Sequence, residues 1–198
     1  MNKITKSALF LLLIIFIGIF YLSVIGIQTN KFNQLIKSKF SEINEKIELE
    51  LNDVNIILDI RKFNVDIKTY GPNLIVDDKK IQLEKIKTSF SINSFVKKNF
   101  VVKKLIISTK KNKIKDIVDL LRIYKNSPQL FILNQTIKDG DLIAQINLDF
   151  NDDGKIKNNF IINGIIKKTK INILNEEIDN VEFDFIIQDK IITLNNVK

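Results

Sequence analysis

From Ala8 to Ile27 the chain reads ALFLLLIIFIGIFYLSVIGI, 20 residues without a charge in which only Tyr21 and Ser23 carry polar side chains. At about 1.5 Å per residue, a helix of this length spans roughly 30 Å, the thickness of a bilayer's hydrocarbon core. A helix buried in a soluble core would carry a polar stripe, and this run has none. A cleaved secretory leader fits less well. Its apolar part is usually about 7 to 15 residues long and ends in a small-x-small site, of which Val24-Ile25-Gly26 is a poor version. The run predicts an uncleaved signal anchor over residues 8–27, with residues 1–7 in the cytoplasm and residues 28–198 beyond the inner membrane, in the periplasm. Lys3 and Lys6 before the span nearly balance Lys31, Lys37 and Lys39 after it, but long domains translocate largely regardless of flanking charge. The mean hydropathy of +0.04 would pass for an ordinary soluble protein only because it averages this span with a polar remainder.

The 198 residues include no His, Cys or Trp. That excludes the usual zinc sites, a Ser-His-Asp triad, a cysteine nucleophile and a disulfide framework. The clustered carboxylates are Asp77-Asp78, Asp152-Asp153 and Glu176-Glu177, and the pattern places each in a turn rather than a cleft where two acids could share work. Asp152-Asp153-Gly154 lacks the alternating acids and distant Glu of a calcium loop. Six glycines are scattered, so no loop cradles phosphate. Neither an enzyme nor a bound cofactor or metal is expected.

Past the span, Phe32, Leu35, Ile36, Phe40, Ile43 and Ile47 recur mostly at steps of three and four, which predicts an amphipathic helix. From Leu51 the period becomes two. Val54, Ile56, Leu58 and Ile60 alternate with Asn55 and Asp59, then Phe63, Val65 and Ile67 with Asn64, Asp66 and Lys68, the pattern of half-buried strands joined at Arg61-Lys62. Gly71-Pro72-Asn73 reads as a turn. Strands follow over 74–76, 81–90 and 100–108, with a short helical turn over 92–99. Ile114, Ile117, Val118, Leu121 and Tyr124 restore helical spacing, and Ser127-Pro128 reads as that helix's end. Everything beyond reads as strand: 142–150, a turn at 152–154, a return over 156–166, then stretches around Ile171, Val181 to Ile187, and Ile192 to Leu194. The expected fold class is α+β and mainly β: a transmembrane helix and an amphipathic helix, then a long curved antiparallel sheet with one or two short covering helices. The last strand meets Lys198 without a helix, proline or charge cluster to blunt its edge. That edge either continues into a longer sheet, the favoured reading, or pairs with a strand of a partner protein.

Charge is regional. Residues 31–138 hold 22 Lys and Arg against 12 acids, and residues 139–198 hold 7 Lys against 11 acids. Between Lys85 and Lys115 there are 10 lysines and no acid. Such a run suits anionic lipid headgroups or nucleic-acid phosphates. Nucleic acid is disfavoured, because only Arg61 and Arg122 supply the arginines that base and bidentate phosphate recognition favour. A plainly solvated lysine face, as in proteins from AT-rich genomes, is the competing reading.

The order of these features is that of a known group. The anchor, the amphipathic helix, the hairpin LNDVNIILDIRKFNVDIKTYGPNL, the strand IQLEKIKTSFSI, the short helix SFVKKNF and the strand VVKKLIIS resemble the N-terminal region of AsmA-like proteins of Gram-negative bacteria. GDLIAQINLDFNDDGKIKNNFIINGIIKKTKINIL resembles the repeated strand pairs of that family and its TamB relatives. The resemblance implies a hydrophobic sheet groove of the bridge-like lipid transfer type, serving phospholipid transport or outer-membrane maintenance. Members of the family are several times longer, which implies a truncated member or a fragment. The groove candidates are Val54, Ile56, Leu58, Val65, Ile67, Leu142, Ile146, Leu148, Phe160, Ile162, Phe183 and Phe185, and the headgroup candidates are Lys97, Lys98, Lys103 and Lys104. The alternative is a membrane-tethered adaptor with a closed core that pairs strands with a partner. Periodicity shows one apolar face and not what covers it.

Overall fold

The computed structural model describes residues 3–30, 33, 34, 37, 41, 47–76, 79–92, 102–124, 127–151, 155, 157, 160–173, 176–188 and 191–198. Helix α1, Lys3–Val24, has 22 residues, none of them buried. An 18-residue window of it has a mean hydropathy of 2.7, and the helix is long and apolar enough to cross a membrane. Two residues later the chain enters a sheet. Gly26, at φ +76°, turns the backbone into β1, Ile27–Thr29. The expected amphipathic helix lies mostly outside the described residues, among which Asn33, Gln34, Lys37 and Ser41 are helical.

Strands β2 (Ile47–Glu50), β3 (Val54–Asp59), β4 (Asn64–Tyr70), β5 (Asn73–Val76), β6 (Lys79–Ser91), β7 (Val102–Thr109) and β8 (Asn112–Lys113) follow. The β3–β4 turn is held by Asp59, whose carboxylate accepts from the Lys62 N–H at 3.1 Å. Helices α2 (Ile114–Tyr124) and α3 (Pro128–Thr136) come next, then β9 (Ile137–Asp149), β10 (Ile161–Ile173), β11 (Glu176–Gln188) and β12 (Ile191–Asn195). All 12 strands form one open antiparallel sheet whose main path runs β1-β3-β4-β6-β7-β9-β10-β11-β12. The 13-residue β6 forks it: its first part pairs with β5, which carries β2, and its second part with β4.

Three expectations need correction and three more fall outside the described residues. Ser127-Pro128 starts a helix rather than only ending one: the Ser127 hydroxyl accepts from the Leu130 N–H at 3.3 Å, and Pro128 occupies the first turn of α3, where its missing N–H costs nothing. Glu176 and Glu177 are not in a turn. They open β11 opposite Ile173 and Asn172, and Glu177 pairs with Lys170 at 2.7 Å. Ile171 belongs to the same long strand as Ile161, since β10 absorbs register shifts around Thr169 instead of breaking. The turns at Asp77-Asp78 and 152–154 and the helical turn after Ile92 lie outside the described residues.

Two buried clusters hold one end of the sheet together. Leu49, Ile81, Leu83 and Ile86 form the first, and Ile114, Val118, Ile137 and Leu142 the second, with Ile117 of α2 packed against both. The i, i+3, i+4 stripe of α2 is thus spent on β6 and β9. Each such side chain, fully buried, contributes about 1.5–3 kcal/mol. Asp116 and Asp119 of α2 form ion pairs with Lys79 of β6, tying the helix to the sheet's fork.

Candidate functional site

Directly opposed residues of an antiparallel pair share a face, so the registers can be followed across the sheet. Thr29, Val54, Thr69, Ile86, Ile107, Ile146, Ile162, Ile187 and Ile192 stand opposite one another in turn, one from each strand of the main path. At about 4.8 Å per strand, this row is roughly 40 Å long. Beside it runs a second row, Ile27, Ile56, Ile67, Thr88, Leu105 and Leu148. Leu58, Val65, Phe90 and Val102 form a third. On the other flank lie Ala144, Gly164, Phe185 and Leu194. One face is therefore apolar from the strand that follows α1 to the outermost strand, β12.

Helix α2 covers this face at two places: its Ile117 and Leu120 pack on the cluster of Ile86, which Leu105 and Ile107 also join, and its Ile114 and Val118 close over Leu142, Ala144, Ile166 and Phe185. Away from the helices Ile56, Leu58, Val65, Ile67, Ile146, Leu148 and Ile162 are half-buried, and Ile192 and Leu194 are exposed. The row is not accessible throughout, since Val54, Thr69 and Ile86 are buried; the apolar residues left open on β3–β4 and over β9–β12 are of the kind that meet lipid or protein. Gly164 keeps the surface level at its middle. A Cβ there would lie 2.7 Å from the Phe185 ring, so the aromatic side chain lies across the glycine.

Of the twelve groove candidates, eleven lie in strands on this one face. Two of them are not accessible: Val54 is fully buried opposite Thr29 of β1, and Leu142 is closed into the α2 core. Phe160 precedes β10 and is half-buried. Thr29, Thr69, Ile86, Ile107, Ile187 and Ile192 complete the central row and are not distinguishable by spacing alone, since every strand offers such residues. Lys104 lies on the opposite face, paired in register with Ser89 and Asp149, while Lys103 sits in the β6–β7 irregularity. Lys104 therefore does not rim the apolar surface. Lys97 and Lys98 lie outside the described residues.

That opposite face is polar over β4, β6 and β7. Asp66, nearly buried, accepts from the Ser89 hydroxyl at 2.6 Å and pairs with Lys87 at 2.6 Å. At the helix-covered end, Asn112 ties three segments: its amide donates to the carbonyls of Gln82 and Lys110, and its oxygen accepts from the Gln82 N–H. Nearby, Lys113 pairs with Asp139 and Lys111 with Asp141, each at 2.9 Å. The Lys113 hydrogen bond, then the Gly140 N–H, hold the Asp139 carboxyl below its ordinary range, and Lys111 does the same for Asp141. Among the described residues no group of three or more His, Cys, Asp or Glu is placed to hold a metal ion.

The two depressed carboxyls fix a sign. A carboxyl with a lowered folded-state pKa stabilises the fold above its unfolded value, near about pH 4, and that contribution disappears as pH falls through the folded value. Asp139→Asn/Asp141→Asn is therefore expected to lower the melting temperature at neutral pH and to flatten its decline in acid. Parallel acid declines in variant and parent would refute a stabilising role for these pairs.

Compared with family models, with curated proteins and with solved structures, the chain matches none.

Proposed function

We propose that the chain is a single-pass inner-membrane protein, its N-terminus cytoplasmic and its sheet periplasmic, that binds phospholipid acyl chains along the apolar sheet face. It needs neither covalent chemistry nor a cofactor for this. The observation that carries the reading is the nine-strand row, which starts within a few residues of α1 and runs without a charged member to Ile192. Each acyl methylene taken out of water on such a surface is worth about 0.8 kcal/mol. The similarity of the strand pattern to AsmA-like proteins supports the same role, in phospholipid transport or outer-membrane maintenance.

A second reading rests on β12, the outermost strand among the described residues. Its five residues are exposed and uncharged, so its free edge would accept a partner's strand. Photo-crosslinking in cells separates the two. With the probe at Ile146 or Phe183, phospholipid adducts are expected, and a probe at Gln145, on the other face of β9, should give background only. Protein adducts without lipid at Ile146 and Phe183 would replace the first reading with the second.

A further inference from the structure

We propose that the α2–α3 hairpin is a membrane-surface contact, with Phe131, Ile132 and Leu133 seated in the interface of an anionic bilayer and Arg122 and Lys138 at its headgroups. This contact is independent of the acyl-chain reading of the sheet, which lies on other residues.

Three consecutive large apolar side chains of α3 are exposed, Phe131 at 50%, Ile132 at 62% and Leu133 at 39%. Successive helical residues are about 100° apart, so the three cover more than half the helix circumference. The other side of α3 rests on α2, β9 and β10; a rigid groove would meet one stripe of the exposed arc, whereas a fluid acyl layer can cover its full width. Exposed Leu121 of α2 adds to the apolar surface of the hairpin.

Charge points the same way. No residue from Asn126 to Ile137 is charged, the longest such stretch outside the anchor, and Lys125 and Lys138 flank it in sequence. Lys138 is exposed. The Arg122 guanidinium lies 5.7 Å from the Phe131 ring centroid, the contact of a cation held over an aromatic face. Cations beside an uncharged apolar tip match phosphate headgroups above acyl chains.

The chain has no tryptophan, so Phe131→Trp gives these 198 residues a single indole, at the tip. With α1 held in a nanodisc, brominated phosphatidylglycerol is placed either in the nanodisc or in added vesicles. Quenching and a blue shift are expected in at least one arm, and the arm identifies the bilayer. Adding Ile132→Asp should abolish both signals, and zwitterionic vesicles should give weaker ones. The inference fails if neither arm quenches Trp at 131 while a Phe16→Trp control in α1 is quenched by nanodisc lipid, or if lipid charge makes no difference. Leu133→Trp repeats the test should Phe131→Trp fail to fold.

Discussion

Ile162→Asp, with a photo-crosslinker at Ile146, is expected to reduce phospholipid capture about 100-fold. Ile162 stands between Ile146 and Ile187 in the central row, so a carboxylate there meets whatever lies on the middle of the apolar face. A buried Asp in a lipid environment costs about 2.5–3.5 kcal/mol, and about 1.4 kcal/mol is tenfold in affinity. The fold should survive: Ile162 is only half-buried in the lipid-free chain, the new carboxylate remains hydrated, and the strand loses no more than about 1 kcal/mol of side-chain preference. Asn163→Asp is the matched control. One residue along β10, it points to the opposite face and should leave capture unchanged. Equal losses in both variants would mean that capture does not depend on the apolar row, and an unaffected Ile162→Asp would mean the lipid lies elsewhere.

The difference between these neighbours also marks how far the sequence alone reaches. The long apolar helix is legible because 20 uncharged residues with no polar stripe stand out from everything after them, and the structure has there a helix long and apolar enough to cross a membrane. The strands at 54–60, 63–68 and 81–90 and the helix at 114–124 are legible because each shows its own period, and the structure places them within a few residues of those limits. Eleven groove candidates share a face for the same reason, since alternation assigns faces strand by strand. Their alignment into one row is not local. It depends on β6 bypassing β5 to pair with β4, and on β7 bypassing the α2–α3 hairpin to pair with β9, and no single strand's pattern encodes either. Neighbouring lysines mislead for a related reason: the register shift at Lys103 and the pairing of Lys104 with Ser89 and Asp149, which take them out of the pattern of the apolar rows, are set by partner strands and not by spacing. Helix α3 is missed because its apolar residues circle the helix instead of forming a stripe, and because Ser-Pro punctuates a helix's start as readily as its end.

Gly26→Val is expected to detach the anchor from the sheet. At φ +76° Gly26 occupies the left-handed region, which costs a residue with a side chain about 1–2 kcal/mol, and more for one branched at Cβ. The space is closed as well. A Cβ there would stand 2.5 Å from the Ile56 carbonyl oxygen, 2.5 Å from the Asn55 side-chain oxygen and 2.9 Å from Ile57. The first of these belongs to the β3 backbone and cannot swing aside without breaking the β1–β3 ladder at Ile27–Ile56. Relief therefore comes by β1 leaving, which uncovers Val54 and removes the first members of both long rows. Hydrogen exchange should show amides of Ile27–Thr29 and Val54–Asp59 losing protection while those of β9 to β11 keep theirs, because α2 and its core lie on other strands. Gly26→Asn should lose less, since Asn tolerates the left-handed backbone though not the contact. If the sheet receives lipid from the bilayer that holds α1, capture in Gly26→Val should fall at Ile146 as well as at Ile56 despite the intact distal sheet. Unchanged protection of β3 would show that the junction is not set by Gly26, and unchanged capture at Ile146 would show that lipid reaches the face by another route.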